Sequence, residues 1–294
     1  MFRFKIGRAV AALLAVIAPL LLISAPAQAI VGGRPATEPY SASASYQLSV
    51  NGRFQHDCGG TLILPDVLRI NAHCVTVFPT SQTVDPSTIR IRIGSRELYR
   101  GGIVVGVREI HVHADWIWAA NGPTVPVADV SELKLSAPVP LMPFVIPPRV
   151  ANDPGAVTRI LGFGSTKPSG EGPLPSVLQE LDTQIVPPAF CAAGAISPGE
   201  LCVADVNRHA GACYGDSGSA ALQGGPHHWR LVGGASRETS LPCGSAPVIY
   251  TDDTYYREWL YGVALTGKVP PPSYQPLIHR RVPTAHLRKL WGLA

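Results

Sequence analysis

One ten-residue stretch concentrates the candidate nucleophiles of this chain. Gly211-Ala-Cys-Tyr-Gly-Asp-Ser-Gly-Ser-Ala220 holds Cys213, Ser217 and Ser219 among glycines and one acid. Ser217 lies between Asp216 and Gly218, with Gly215 two residues ahead. Flanking glycines allow the N–H groups of Gly215 and Ser217 to point together, as holding an oxyanion requires. Acyl transfer by a serine needs two further side chains. A histidine must take the hydroxyl proton, and a buried carboxylate must fix that histidine's tautomer and hold the imidazolium. His73 is the candidate base, in Arg69-Ile-Asn-Ala-His-Cys74, beside a cysteine whose disulfide would pin its loop. Asp129 is the candidate orienter, opening the apolar run Val-Ser-Glu-Leu-Lys-Leu135. Asp115 and Glu132 are the fallback carboxylates. Each piece has a plainer reading by itself: a glycine turn, a structural histidine, a solvated aspartate.

A fourth feature stands at the front. Arg3, Lys5 and Arg8 precede an apolar run from Ala9 to Ser24, and Ala27-Gln28-Ala29 is a small-x-small cleavage site. This reads as a secretory signal peptide. The run is short for a spanning helix and is broken by Pro19, which disfavours the rival reading of an uncleaved anchor. No twin-arginine pair is present, so export unfolded is expected. Cleavage after Ala29 would leave Ile30-Val-Gly-Gly33 with a free ammonium. Such a terminus enters an apolar pocket only where a carboxylate meets it, and Asp216 is placed to do so.

These residues must be positioned by short elements. The 294 residues include 29 glycines and 29 prolines, and this frequent punctuation favours many strands over long helices. Hydrophobic residues make up 46% and charged ones 15%, which excludes a disordered chain. The net charge of +4 comes without a basic stripe or nucleic-acid motif, so no nucleic-acid partner is expected. Ile89, Ile91 and Ile93 alternate with Arg90 and Arg92, the pattern of a half-buried strand. Further short apolar runs at 60–64, 103–107, 157–163, 228–235 and 247–251 predict an all-β sandwich or barrel. The stretch from Ser136 to Pro154 carries six prolines and reads as an extended connection between two halves. Tyr256, Trp259, Leu260 and Val263 predict one amphipathic helix, with Asp252 and Asp253 as capping candidates. Six cysteines in an exported chain point to three disulfides, and the count alone leaves fifteen pairings open. His111-Val-His-Ala-Asp115 is half of a metal motif with no second ligand cluster, so neither metal nor cofactor is expected.

Taken in order, the pieces resemble the trypsin/chymotrypsin-like serine protease family, as a secreted bacterial-type member. The matching strings are IVGG at 30–33, CGGTLI at 58–63, AHC at 72–74, DVSELKL at 129–135, GDSGSA at 215–220 and PVIYT at 247–251. The resemblance implies two six-stranded antiparallel barrels with a C-terminal helix and the site between the barrels. It divides the chain into a signal peptide (1–29), an N-terminal barrel (30–145), a C-terminal barrel (146–263) and a basic, proline-containing tail (264–294). It implies disulfides Cys58–Cys74, Cys191–Cys202 and Cys213–Cys243. It makes His73 the base, Asp129 the orienter, Ser217 the nucleophile, Gly215 and Ser217 the oxyanion hole, and Ile30–Asp216 the activating ion pair.

Several positions depart from the family pattern. Glu132 replaces an apolar residue near Asp129, and Ser219 and Ala220 replace the common Gly and Pro. In the pocket, Gly211 stands where trypsin-like members carry an acid, and Val248 replaces a glycine. Ser236-Arg237-Glu238 replaces Ser-Trp-Gly. These changes predict cleavage after small or medium apolar residues, with Glu238 as the feature that would instead favour a basic one. Ile30 follows the signal directly, so signal peptidase itself is expected to liberate the activating terminus. The expected partners are protein or peptide substrates of a monomeric secreted enzyme, with no integral membrane partner. The competing reading is a catalytically silent homologue that serves as a secreted binding protein.

Overall fold

The computed structural model describes residues 30–118, 127–148, 152–205 and 209–273. The signal peptide expected at 1–29 and most of the basic tail lie outside the described residues. Thirteen strands and one α-helix follow in chain order. They are β1 (Arg34–Pro35), β2 (Ser43–Val50), β3 (Arg53–Leu64), β4 (Val67–Ile70), β5 (Ile89–Ile93), β6 (Ile103–Val112), β7 (Ser131–Leu135), β8 (Val157–Gly162), β9 (Gln179–Val186), β10 (Glu200–Ala204), β11 (Ala220–Gln223), β12 (Arg230–Glu238), β13 (Val248–Asp252) and α1 (Arg257–Thr266).

The first six-stranded barrel closes in the order β2-β3-β4-β7-β6-β5. The second runs β9-β10-β13-β12-β11-β8 and closes through β8 against β9. All these pairings are antiparallel, and closure leaves no long exposed edge in either ring. The short β1 lies outside its own barrel, joined to β9 of the second. β5 shows the predicted alternation: its three isoleucines are buried and its two arginines half-buried. Ile91, Leu62, Leu68, Leu133 and Leu135 fill the first barrel, while Ile160, Val232, Leu201 and Tyr250 fill the second.

The proline-rich connection makes no strand over its described residues, because proline lacks the ladder donor. It is nevertheless fastened to both halves: Phe144 N–H donates to Leu62 O (3.0 Å) and Leu231 N–H to Val145 O (3.0 Å). The helix buries Leu260, Val263 and Ala264, and its C-terminus is Gly267 in the left-handed region. It runs to Thr266, three residues past the expected end of the barrel. Neither capping candidate caps it. Asp252 Oδ1 accepts from Thr254 N, Thr254 Oγ1 and Tyr255 N in the preceding turn, and Asp253 is paired with Arg69.

Candidate active site

Two of the candidate residues come from the first barrel and one from the second. His73 sits on the 3₁₀ turn Ala72–Cys74 that follows β4. Asp129 precedes β7, and Ser217 occupies the turn between β10 and β11. The cysteine after His73 is bonded to Cys58 of β3. The next residue of β3, Gly59, donates its N–H to Ser217 O at 2.7 Å. The histidine turn and the serine turn are thus tied to adjacent residues of one strand. The approach is close enough that a Cβ on Gly59 would lie 2.0 Å from Ser219 Oγ.

Asp129 is buried and accepts from His73 twice, at Oδ1 from the backbone N–H (2.9 Å) and at Oδ2 from Nδ1 (2.8 Å). Oδ2 also accepts from Ser236 Oγ and Asn71 Nδ2, each at 2.7 Å. Burial opposes its charge, but the charge and hydrogen bonds of His73 and the Ser236 hydroxyl outweigh it and hold the carboxyl below the ordinary carboxylate range. With Nδ1 engaged, His73 directs Nε2 away from Asp129, the orientation a general base needs. The fallback acids do other things. Asp115 accepts from Ser273 Oγ and lies 3.9 Å from His113 Nδ1. Glu132 is buried with no hydrogen-bond partner among the described residues.

Ser217 is half-buried, and its hydroxyl has no hydrogen-bond partner among the described residues. The bond between nucleophile and base commonly tightens only when substrate arrives. The N–H groups of Gly215 and Ser217 also have no partner among the described residues. Gly215 has φ 90°, a conformation that needs glycine. Its carbonyl faces His56 Nε2 at 2.9 Å, and His56 Nδ1 faces Ser45 Oγ at 2.8 Å. Burial lowers the His56 pKa to about 4, so the ring is neutral and donates to Gly215. The sequence reading missed this brace.

Asp216 is buried and accepts from Gly164 N (2.7 Å) and Cys213 N (2.9 Å). Burial pushes its carboxyl up to about 7 against those two donors. Ile30 is fully buried among second-barrel side chains, and Gly211 N–H donates to Val31 O at 3.0 Å. In the uncleaved chain the Ile30 nitrogen is a peptide amide, so it brings no positive charge to Asp216.

The pocket candidates divide into two groups. Glu238 and Val248 are register partners across β12 and β13, and Val248 would lie 3.6 Å from a Cβ on Gly211. These three are brought together. Ser236 directs its hydroxyl to Asp129. Its neighbour Arg237 turns under the chain to Glu200, Gly194 O and Ala195 O. Glu238 Oε2 is shut from solvent without a hydrogen-bond partner among the described residues. Burial raises its pKa well above the ordinary value, and the charge of Asp216 adds to this.

The disulfides are Cys58–Cys74, Cys191–Cys202 and Cys213–Cys243. In the half metal motif, His111 faces Glu109 (3.2 Å) and His113 packs against Tyr256 and Trp259. The described residues bring together one group of three ligand-type side chains, Cys58, His73 and Cys74, whose sulfurs are already bonded to each other. No helix among the described residues is long and apolar enough to cross a membrane.

A family profile described as Trypsin matches residues 30–260. Among curated proteins, the chain is 28% identical to trypsin alpha-4 of Lucilia cuprina over 80% of its own length and 87% of the relative's. It is 31% identical to the vitellin-degrading protease of Bombyx mori over 79% and 84%, and 29% identical to trypsin alpha of Drosophila melanogaster over 80% and 87%. These relatives are insect proteins and lend no support to the bacterial-type placement.

Proposed function

Because the chain belongs to the trypsin family, whose matched relatives support a peptidase function, we propose that it is a secreted serine endopeptidase working through an acyl-enzyme. The observation that carries this reading is the held pair of His73 Nδ1 and Asp129 Oδ2, tied through Cys58 and Gly59 to a glycine-flanked serine whose local N–H groups have no partner among the described residues. Ser217 Oγ attacks the scissile carbonyl carbon as its proton passes to His73 Nε2. The N–H groups of Gly215 and Ser217 hold the resulting oxyanion. Collapse breaks the C–N bond, and His73 returns the proton to the leaving amine. Water, deprotonated by His73, then hydrolyses the Ser217 ester and releases the acid.

Cleavage after Ala29 would give Ile30 the ammonium that Asp216 lacks in the uncleaved chain, and this is the proposed activation step. The pocket favours small or medium apolar residues. Gly211 supplies no acid, Val248 fills space, and burial favours the neutral form of Glu238. A peptide library cleaved chiefly after Arg or Lys would overturn that preference and make Glu238 the anion that selects them.

The deciding experiment is the intact mass of the secreted protein with and without a fluorophosphonate, with Ser217→Ala as control. A chain beginning at Ile30 that gains one adduct, lost in the variant, is the expected result. A chain beginning at Ile30 that gains none would favour the silent binding homologue.

A further inference from the structure

Asp129 accepts more hydrogen bonds than the orientation of His73 requires. The additional donor, Asn71 Nδ2, leads back to a buried charged pair. Asn71 Oδ1 accepts from Arg69 Nη1 at 2.5 Å, and Arg69 Nε donates to Asp253 Oδ1 at 2.7 Å. Arg69, Asn71 and Asp253 are each 0% exposed. Arg69 lies in β4 and Asn71 just after it in the first barrel, whereas Asp253 follows β13 of the second. The pair therefore crosses between the barrels. Space for it comes from Gly234 of β12, where a Cβ would lie 1.8 Å from Arg69 Nη1.

The chemistry of the pair fixes the amide. A guanidinium only donates, so Asn71 must turn its oxygen to Arg69 and its NH₂ to Asp129. An amide between two hydroxyls could flip, but this one cannot. Burying an ion pair gains little stability over well-packed apolar residues, so stability alone gives this pair no reason to be there. We propose that Asn71, locked by the buried Arg69–Asp253 pair, is a positioning residue that sets the Asp129 carboxylate toward His73 and couples that setting to the docking of the two barrels. Its catalytic consequence rests on the endopeptidase reading above, while its structural part does not.

Three donors share Asp129 Oδ2, and each takes part of the charge that would otherwise hold the His73 proton. Removing the Asn71 donor leaves more of that charge for His73, which should then keep its proton to higher pH. Two further ionisable groups act on this pair: Asp57 of β3 on His73, and Tyr256 ahead of α1 on Asp129. Neither is altered by the test.

The test is an NMR titration of isotope-labelled histidine rings in the cleaved protein, comparing wild type, Asn71→Ala and the apolar pair Arg69→Met/Asp253→Leu. In Asn71→Ala, His73 is expected to titrate about half a unit higher. The acid limb of kcat/KM should move with it, and kcat should fall about tenfold at unchanged KM. The apolar pair keeps volume in the core and frees the amide, so it should shift His73 in the same direction. It also decides the matter if Asn71→Ala does not fold. A His73 titration that matches wild type in the folded variants overturns the proposal. A wild type that neither hydrolyses peptides nor reacts with fluorophosphonate defeats the endopeptidase reading instead, and the NMR shift still judges the positioning role.

Discussion

Glu132 illustrates how one residue can be costly without touching the chemistry beside it. It lies on β7 between Arg69 of β4 and His111 of β6 in register, and both carboxyl oxygens are buried without a partner. Burial pushes its carboxyl up to about 9, opposed only weakly by Lys134. It makes no hydrogen bond to Asp129 or His73. Its cost falls on stability. Between the ordinary carboxylate range and about 9, the unfolded chain releases a proton that the folded chain keeps, so stability falls as pH rises through that window. Glu132→Met should therefore stabilise the fold by on the order of 2 kcal/mol at pH 8, and by less at pH 5. Urea denaturation at both pH values measures this, and equal midpoints for variant and wild type would refute it.

At the scale of elements, the segment that follows Ile30 gathers several donors on one buried acid. Glu180 of β9 accepts from Arg34 Nε (3.0 Å), Thr37 N (3.1 Å) and Tyr40 Oη (2.6 Å). Burial works against its charge, but the Tyr40 hydroxyl, the Thr37 N–H and the guanidinium groups of Arg159 and Arg34 outweigh it and lower its pKa. The stability it contributes is present above the ordinary carboxylate pKa and is lost as pH falls through the depressed value. Glu180→Ala takes the acceptor from the buried Tyr40 hydroxyl, while Arg34 and Thr37 stay exposed to water, and should cost about 1–3 kcal/mol. Because the same segment carries Ile30 into its burial site, the variant should also lose peptidase activity at temperatures where it is still folded. Full activity in a destabilised Glu180→Ala would show that the segment's anchoring and the site's assembly are separate.

For the whole molecule, the proposed function makes activity depend on a terminus that covalent processing would create. The α-amino group of Ile30, once paired with Asp216, keeps its proton above the ordinary amine range. Activity should hold through neutral pH and fade as pH rises through that raised value. Hydrolysis rates measured from about pH 7 to about pH 11 test this, and a flat profile to the top would reject the ion pair as the activating contact. The basic tail should contribute little. The second barrel is complete at β13 and α1 ends at Gly267, so a chain ending at Ser273 should retain full activity and an unchanged Tm.

The sequence by itself determined the alternation of β5, the strand content, the helix and the ordered motifs that point to His73, Asp129 and Ser217. These are legible because local periodicity and turn chemistry act over a few neighbouring residues. Within the same strings, Arg69 and Asn71 stood beside His73 unassigned, and Asp253 read as a helix cap. The available signal was an arginine in β4, whose four residues are all buried, since such a charge needs a buried acid elsewhere. Which acid answers it depends on the packing of one barrel against the other, over a separation of 184 residues. The same holds for the Ser236 hydroxyl, which donates to Asp129, and for Arg237, which pairs with Glu200. A buried side chain's partner is settled by how two distant surfaces meet, and only the tertiary structure decides that.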